Sequence, residues 1–290
     1  MANLKELRNK IGVVQSIRKV TSAMKLVAGV KLRRAEQKTV VSREYAQELG
    51  KILAQIRREF VDGVKSELFL GRELVKTEML IVFASDRGLC GNFNYLVTKE
   101  VAKNLMELHK SGRKVYLLCI GEKIFEPVRR MLNENDCIES EKDFYHGDVY
   151  ENAKKVAEKV IEKFNSGDVD KVSVLYNRYY SAMHKQIEVK TLIPIECEPT
   201  ADKTVPIFEP NVNDVLNAVL PYNVAIQLYQ CALESITSEQ SSRMTSMDSA
   251  TRNADDLISD LSIKYNRTRQ YNITQELVEV ISGASAISKG

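Results

Sequence analysis

Proline is absent from this sequence after Pro221, and all six prolines lie between residues 127 and 221. Proline removes a helical hydrogen bond and clashes with the preceding turn, so its absence leaves a helix free to run to the end of the chain. The stretch Asn213 to Ile287 reads as one such helix. At 1.5 Å per residue it would measure on the order of 100 Å, far more than an ordinary domain covers. Long apolar runs are missing as well. Met79 to Ala84 and Val115 to Ile120 fall well short of the roughly 20 residues that cross a bilayer and fit buried strands. The five cysteines (Cys90, Cys119, Cys137, Cys197, Cys231) include no CxxC pair, which excludes the common zinc and redox frameworks and fits a reducing compartment. The opening MANLKELRNKIGVVQ lacks the apolar core of a secretory signal, and Glu6 is out of place in a mitochondrial presequence, so it reads as mature protein.

Catalytic patterns are also wanting. His109, His146 and His184 are dispersed with no HExxH spacing, there is no GxSxG elbow, and Cys90 has no nearby basic partner except Arg87. The acid pair Asp255-Asp256 falls on a polar helix and reads as solvated. Ser85-Asp86-Arg87-Gly88-Leu89-Cys90-Gly91-Asn92 follows a strand and opens a helix, where α/β folds bind phosphates, but GLCG matches neither GxGxxG nor GxxxxGK[ST]. The plainer reading is a structural turn, with Asp86 capping the helix and the glycines permitting close packing. The residues therefore supply no catalytic, cofactor-binding or metal site.

What is present is two long helical ends around a different middle. The first helix runs from Leu4 to Phe60, with Leu4, Leu7, Ile11, Val14, Ile17, Val20, Met24 and Val27, then Leu49, Ile52, Leu53, Ile56 and Phe60, at helical spacing. Gly29 interrupts it. In the last helix Met244, Met247, Thr251, Ala254, Ile258, Leu261 and Tyr265 alternate by three and four, the spacing of a coiled-coil seam. Its filling is weak: Thr237 to Asp256 is mostly hydroxyl, acidic and small residues, which bury little apolar area. Such a stretch is either a solvated spacer or a segment touched through polar contacts by a larger assembly. The apolar LVEVISGASAI near the end needs a cover of its own.

Charge supports a pairing of the ends. Residues 1–40 hold ten Lys or Arg against two Glu, a net of +8, and residues 211–290 hold six basic and nine acidic residues, a net of −3. Opposite signs favour the two lying side by side. A basic helix of this density also suits nucleic acid or anionic lipid, but the segment lacks aromatic stacking residues and glycine-rich arms.

Between them, Glu78 to Asp86 and Lys114 to Gly121 read as buried parallel strands, each followed by a helix (Tyr95 to His109, Glu122 to Leu132). A further helix, Val149 to Phe164, leads to strands over Lys171 to Tyr180 and Lys185 to Ile193. The expected architecture is α/β with long helical extensions: a coiled coil of the two terminal helices plus a small Rossmann-like parallel-sheet domain. The expected divisions are 1–60 (helix), 75–195 (α/β domain), 196–211 (connection) and 212–290 (helix).

Three segments together resemble one family, the gamma subunits of rotary F-type ATP synthases: NLKELRNKIGVVQSIRKVTSAMKLVAGVKLRRAEQ, ASDRGLCGNFN, and SSRMTSMDSATRNADDLISDLSIKYNRTRQYNITQELVEVISGASA. The resemblance implies that the terminal helices form an antiparallel, bent coiled coil inside a ring of alternating alpha and beta subunits. It implies that the middle domain lies against the epsilon subunit and the membrane c-ring, and that proton flow turns the whole as a non-catalytic rotor. By the same matching, Met24, Arg243, Arg269, Gln270, Thr274 and Glu276 are expected to meet the beta subunits; the bland alternative for each is an exposed helix residue without a partner. No cofactor, nucleic acid or membrane span is implied, and the expected location is the cytoplasmic face of a bacterial inner membrane. Gly29-Val30 and the bulky Tyr271 depart from the small residues usual in the family, and no dithiol insertion of the chloroplast type is visible. Two rivals remain at this level: a nucleotide-dependent α/β enzyme with helical arms, and a free-standing homodimeric coiled coil.

Overall fold

The computed structural model describes residues 4–60, 66–196, 209 and 211–287. Cys197, nearly all of the 196–211 connection and the side chain of Phe60 lie outside the described residues. The chain forms two compact units: Gly29–Arg243 in one, and the residues up to Ala28 together with those from Met244 in the other. Two helices contribute to both, α1 (Leu4–Phe60) and the final helix, α6 (Val212–Ile287).

The unit from Gly29 to Arg243 is built on a five-stranded sheet of β1 (Thr77–Phe83), β2 (Lys114–Ile120), β3 (Cys137–Glu141), β4 (Lys171–Tyr179) and β5 (Lys185–Ile193). Its order is β3-β2-β1-β4-β5. β1 pairs in parallel with β2 and β4, and β2 with β3, whereas β5 runs antiparallel to β4. The reversal at β5 follows from connection length: the tight turn from Tyr180 to His184 is too short for the crossover that parallel neighbours require.

β1 and β2 are buried on both faces, which is why they read as unbroken apolar runs. Met79, Ile81 and Phe83 with Tyr116, Leu118 and Ile120 face one core, which is completed by α5 (Val149–Asn165), by Leu53 and Ile56 of α1, and by Leu216 to Ala232 of α6. Leu80, Val82, Leu117 and Cys119 face the other core, under α3 (Phe93–Lys110) and α4 (Glu122–Arg129). α3 buries Phe93, Val97, Val101 and Leu105, a stripe at every fourth residue. Asp148 caps α5 by accepting from the Tyr150 amide at 2.9 Å.

Two elements escape the sequence pattern. The short helix α2 (Glu67–Leu70) has only one buried side chain, Phe69. β3 is an edge strand, CIESE, in which every residue is half-buried, so neither alternation nor an apolar run marks it.

In the other unit, residues 4–28 of α1 and 244–287 of α6 lie antiparallel. Arg18 pairs with Asp255, the Thr21 and Thr251 hydroxyls are 2.9 Å apart, and Lys25 Nζ is 2.5 Å from Asp248 Oδ1. As the position in α1 rises, its partner in α6 falls. The seam expected on α6 holds: Met244, Met247, Thr251, Ala254, Ile258, Leu261 and Tyr265 are all buried or half-buried. The stripe expected on α1 drifts. Leu7, Ile11 and Val14 belong to the covered face, but Ile17, Val20 and Val27 are exposed, and the contact continues through Arg18, Thr21, Lys25 and Ala28. Two seven-residue repeats carry the contact, 7, 14, 21, 28 (Leu, Val, Thr, Ala) and 4, 11, 18, 25 (Leu, Ile, Arg, Lys), and they turn from apolar to small and charged where Asp255, Thr251 and Asp248 of α6 lie opposite.

Candidate interaction site

The six residues expected to meet a partner fall into three settings. Met24 is half-buried beside the Thr21–Lys25 stretch of the seam. Arg269, Gln270, Thr274 and Glu276 are all exposed on the last turns of α6, where no side chain from residue 273 to 285 is even half-buried. The Thr274 hydroxyl donates back to the Gln270 carbonyl at 2.9 Å, the ordinary resting bond of a helical threonine. At about 100° per residue Arg269 and Glu276 share one face and Gln270 and Thr274 the adjacent one, and the exposed Ile273, Leu277, Val280 and Ile281 fall among them on the same side of the helix. Met24 belongs to the level of residues 248–249 on α6, about 30 Å along the helix from Arg269. The structure therefore does not gather these residues into one patch.

Arg243 is in the other unit and is engaged within its own chain. Only 11% of its side chain is exposed. Its guanidinium donates to Glu239 Oε1 at 2.5 Å and to the carbonyls of Arg87 and Gly88 at 3.2 and 3.3 Å. Those carbonyls belong to the turn in which sequence left a phosphate-binding reading open. The turn presents oxygens to a cation, the opposite polarity from an anion cradle. It is held by the Ser85 hydroxyl, which donates to the Arg87 carbonyl at 2.8 Å, and by Asn94, whose Oδ1 accepts from the Ser85 amide at 3.2 Å. Leu89 and Gly91 sit in the left-handed region, with φ of 63° each.

Asp86 caps a different helix from the one expected. Its Oδ1 accepts from the amide of Glu122, at the start of α4, at 3.3 Å. The two segments approach this closely because residue 121 is glycine: a Cβ there, at φ +104°, would stand 2.4 Å from the Ala84 carbonyl oxygen.

The polar run on α6 also differs from both expected readings over its first part. The polar residues from 234 to 241 are buried, and they are buried in this chain. Glu234 takes Arg43 at 2.5 Å on one oxygen and the Tyr179 amide at 2.8 Å on the other. Ser235 accepts from the Asn177 amide and Ser238 donates to the Asn177 carbonyl, both at 3.2 Å. Ser241 donates to the Ala182 carbonyl at 3.4 Å, and Lys185 donates to Ser242 at 3.0 Å. Thr237 lies 3.1 Å from Thr39 of α1. The run is mostly polar because it binds the backbone groups at the end of β4 and in the β4–β5 turn, which apolar side chains would leave unsatisfied.

Electrostatics separates the two settings. Burial pushes the Glu239 carboxyl up, against the pull of the Arg243 guanidinium, with the Asp86 charge adding to the rise. Asp248, on the exposed seam, is held below its ordinary value, first by its hydrogen bond from Lys25. Among the described residues no group of three or more His, Cys, Asp or Glu is placed to hold a metal ion, and no helix is long and apolar enough to cross a membrane.

Comparison with known proteins is consistent along the whole chain. A family profile described as ATP synthase matches residues 3–287. An ATP synthase gamma chain from Paramagnetospirillum magneticum is 37% identical, covering 99% of this chain and 100% of that protein. One from Paracoccus denitrificans is 36% identical with the same coverage. Among solved structures, a chain of the Euglena gracilis mitochondrial ATP synthase (OSCP, F1 and c-ring, rotational state 3) shares the fold with a TM-score of 0.67 at 15% identity, covering 98% of this chain and 94% of that one.

Proposed function

The chain belongs to the ATP synthase gamma chain family, and we propose that it is the non-catalytic central shaft of a rotary ATP synthase. In this reading a membrane c-ring turns the chain, and the paired terminal helices drive the beta subunits of an alpha–beta ring in turn through binding, formation and release of ATP. The epsilon subunit and the c-ring meet the sheet-bearing unit, and the complex lies at the cytoplasmic face of a bacterial inner membrane. The observation that carries this reading is the antiparallel seam of small and charged residues, Arg18, Thr21, Lys25 and Ala28 against Met247, Asp248, Thr251, Ala254 and Asp255. Such a seam joins two helices while leaving their outer faces free, as a shaft meeting several equivalent neighbours requires. A deeply interlocked apolar surface would bind one neighbour too well to leave it.

Arg269, Gln270, Thr274 and Glu276, exposed on the last turns of α6, are the residues we assign to polar contact with the beta subunits, with Met24 in the same role at its own level. The exposed apolar side chains among them fit a sleeve supplied by the ring. Purification of the chain from its native membrane tests the assignment: it should arrive with a hexameric ATPase, and a preparation without one contradicts it. Gln270→Ala should lower ATP turnover by the complex with the helix content of the chain unchanged; unaltered turnover removes Gln270 from the contact.

A further inference from the structure

Arg243 has a role that the shaft reading does not assign. α6 is fastened to the sheet-bearing unit by side chains reaching backbone atoms: Glu234 to the Tyr179 amide, Ser235 and Ser238 to Asn177, and Ser241 to the Ala182 carbonyl. All of these hold the end of β4 or the turn beyond it. Arg243 holds a different segment, the β1–α3 turn, through the carbonyls of Arg87 and Gly88. It is the last residue of its compact unit along α6, which runs on from Met244. Its side chain is oriented by Glu239, one turn earlier on the same helix, and hydrogen bonds from a charged guanidinium to carbonyls are stronger than neutral ones. Leu89 and Gly91, both in the left-handed region, set the local path of the turn.

We propose that Arg243 is a positioning residue that locks α6 to the β1–α3 turn, so that the helix and the sheet turn as one body under load. The proposal rests on the shaft reading for its consequence and on the geometry within one unit for its existence. Torque entering through the sheet must pass into α6 before the helix leaves the unit, and the two anchor points, β4 and the β1–α3 turn, oppose twisting of the helix better than one alone. Where the load is absent, the same lock matters little.

The test uses two readouts on Arg243→Gln and Arg243→Lys. The first is amide hydrogen exchange of residues 85–94 in the full chain without partners. Arg243→Gln should speed it by about tenfold, and Arg243→Lys, which keeps the charge but not the forked reach, by less. The second is the whole complex in vesicles: proton-driven ATP synthesis should fall about fivefold further than ATP hydrolysis by the detached, unloaded head. Unchanged exchange alongside lost turnover would make Arg243 a partner contact and overturn the proposal. Faster exchange with synthesis and hydrolysis altered equally would make it a purely structural bond and overturn it too. Arg243→Lys keeps the test open should Arg243→Gln fail to fold. A wild-type chain that supports no coupled synthesis sinks the shaft reading instead, and the exchange measurement still reports the lock.

Discussion

The two units of this chain are held together by different means. In the Gly29–Arg243 unit, strands buried on both faces pack against helices, and Phe83, Leu118, Ile120, Phe164 and Val174 are at most 1% exposed. In the unit formed by the chain ends, Leu7, Ala28, Met247 and Ala254 are the buried apolar side chains among the described residues, and half-buried apolar residues, hydroxyls and ion pairs make up the rest of the seam. The first kind of packing fixes a shape. The second joins two helices while burying little apolar area, so its stability comes from length and from whatever surrounds it. A rotor calls for both, a rigid body to receive torque and a slender pair of helices to deliver it.

The sharpest way to break this contrast is a cavity. Phe83→Ala removes a ring that is 0% exposed and packs edge-on against Phe144 at 5.6 Å. It should cost about 3–5 kcal/mol in denaturant unfolding of the full chain, whereas truncating a seam residue should cost far less. A loss below about 1 kcal/mol would mean the sheet core is not what holds that unit.

Acid separates the units next. Burial by itself would raise Asp170, but the amides of Thr77 and Lys76 and the Arg72 guanidinium outweigh it and hold the carboxyl below its usual range. With its folded value depressed, Asp170 contributes stability that is present above the unfolded carboxylate value of about 4 and is lost as the pH falls through the lowered one. Asp170→Asn should therefore cost about 1–2 kcal/mol at neutral pH and flatten the acid limb of the stability curve. A variant whose acid limb matches the wild type would remove Asp170 from the account.

The smallest effect belongs to the seam. Arg18 and Asp255 are each 49% exposed, so their pair is screened by solvent. Arg18→Ala should change stability by about 0.5 kcal/mol or less, with the difference vanishing at high salt. A larger, salt-resistant loss would show the seam to be as tightly built as the sheet.

Much of this organisation was legible in the residues. The absence of proline and the three-four spacing of Met244 to Tyr265 marked α6 and its seam, and the apolar runs of β1 and β2 marked a sheet covered on both faces. β3 was hidden because a half-buried edge strand carries no apolar run. On α1 the eye follows Ile17, Val20 and Val27, yet the partner helix selects Thr21 and Lys25, because acidic and hydroxyl groups lie opposite; pattern on one helix cannot reveal what faces it. The polar run from Glu234 to Arg243 was the hardest to read. Its hydroxyls satisfy backbone groups of strands more than fifty residues away in sequence, a pairing that exists only once the sheet is folded. Arg269, Gln270, Thr274 and Glu276 are exposed on the last turns of α6, whereas Arg243 is turned inward by a carbonyl pair that no motif announces.

The central claim, that both chain ends move as a single shaft, is tested most directly by joining them. Thr21→Cys with Thr251→Cys places two thiols where hydroxyls now lie 2.9 Å apart. Oxidation within the assembled complex should form a bond inside one chain and leave ATP turnover intact. Failure of the bond to form, or a bond that stops turnover, would contradict the account.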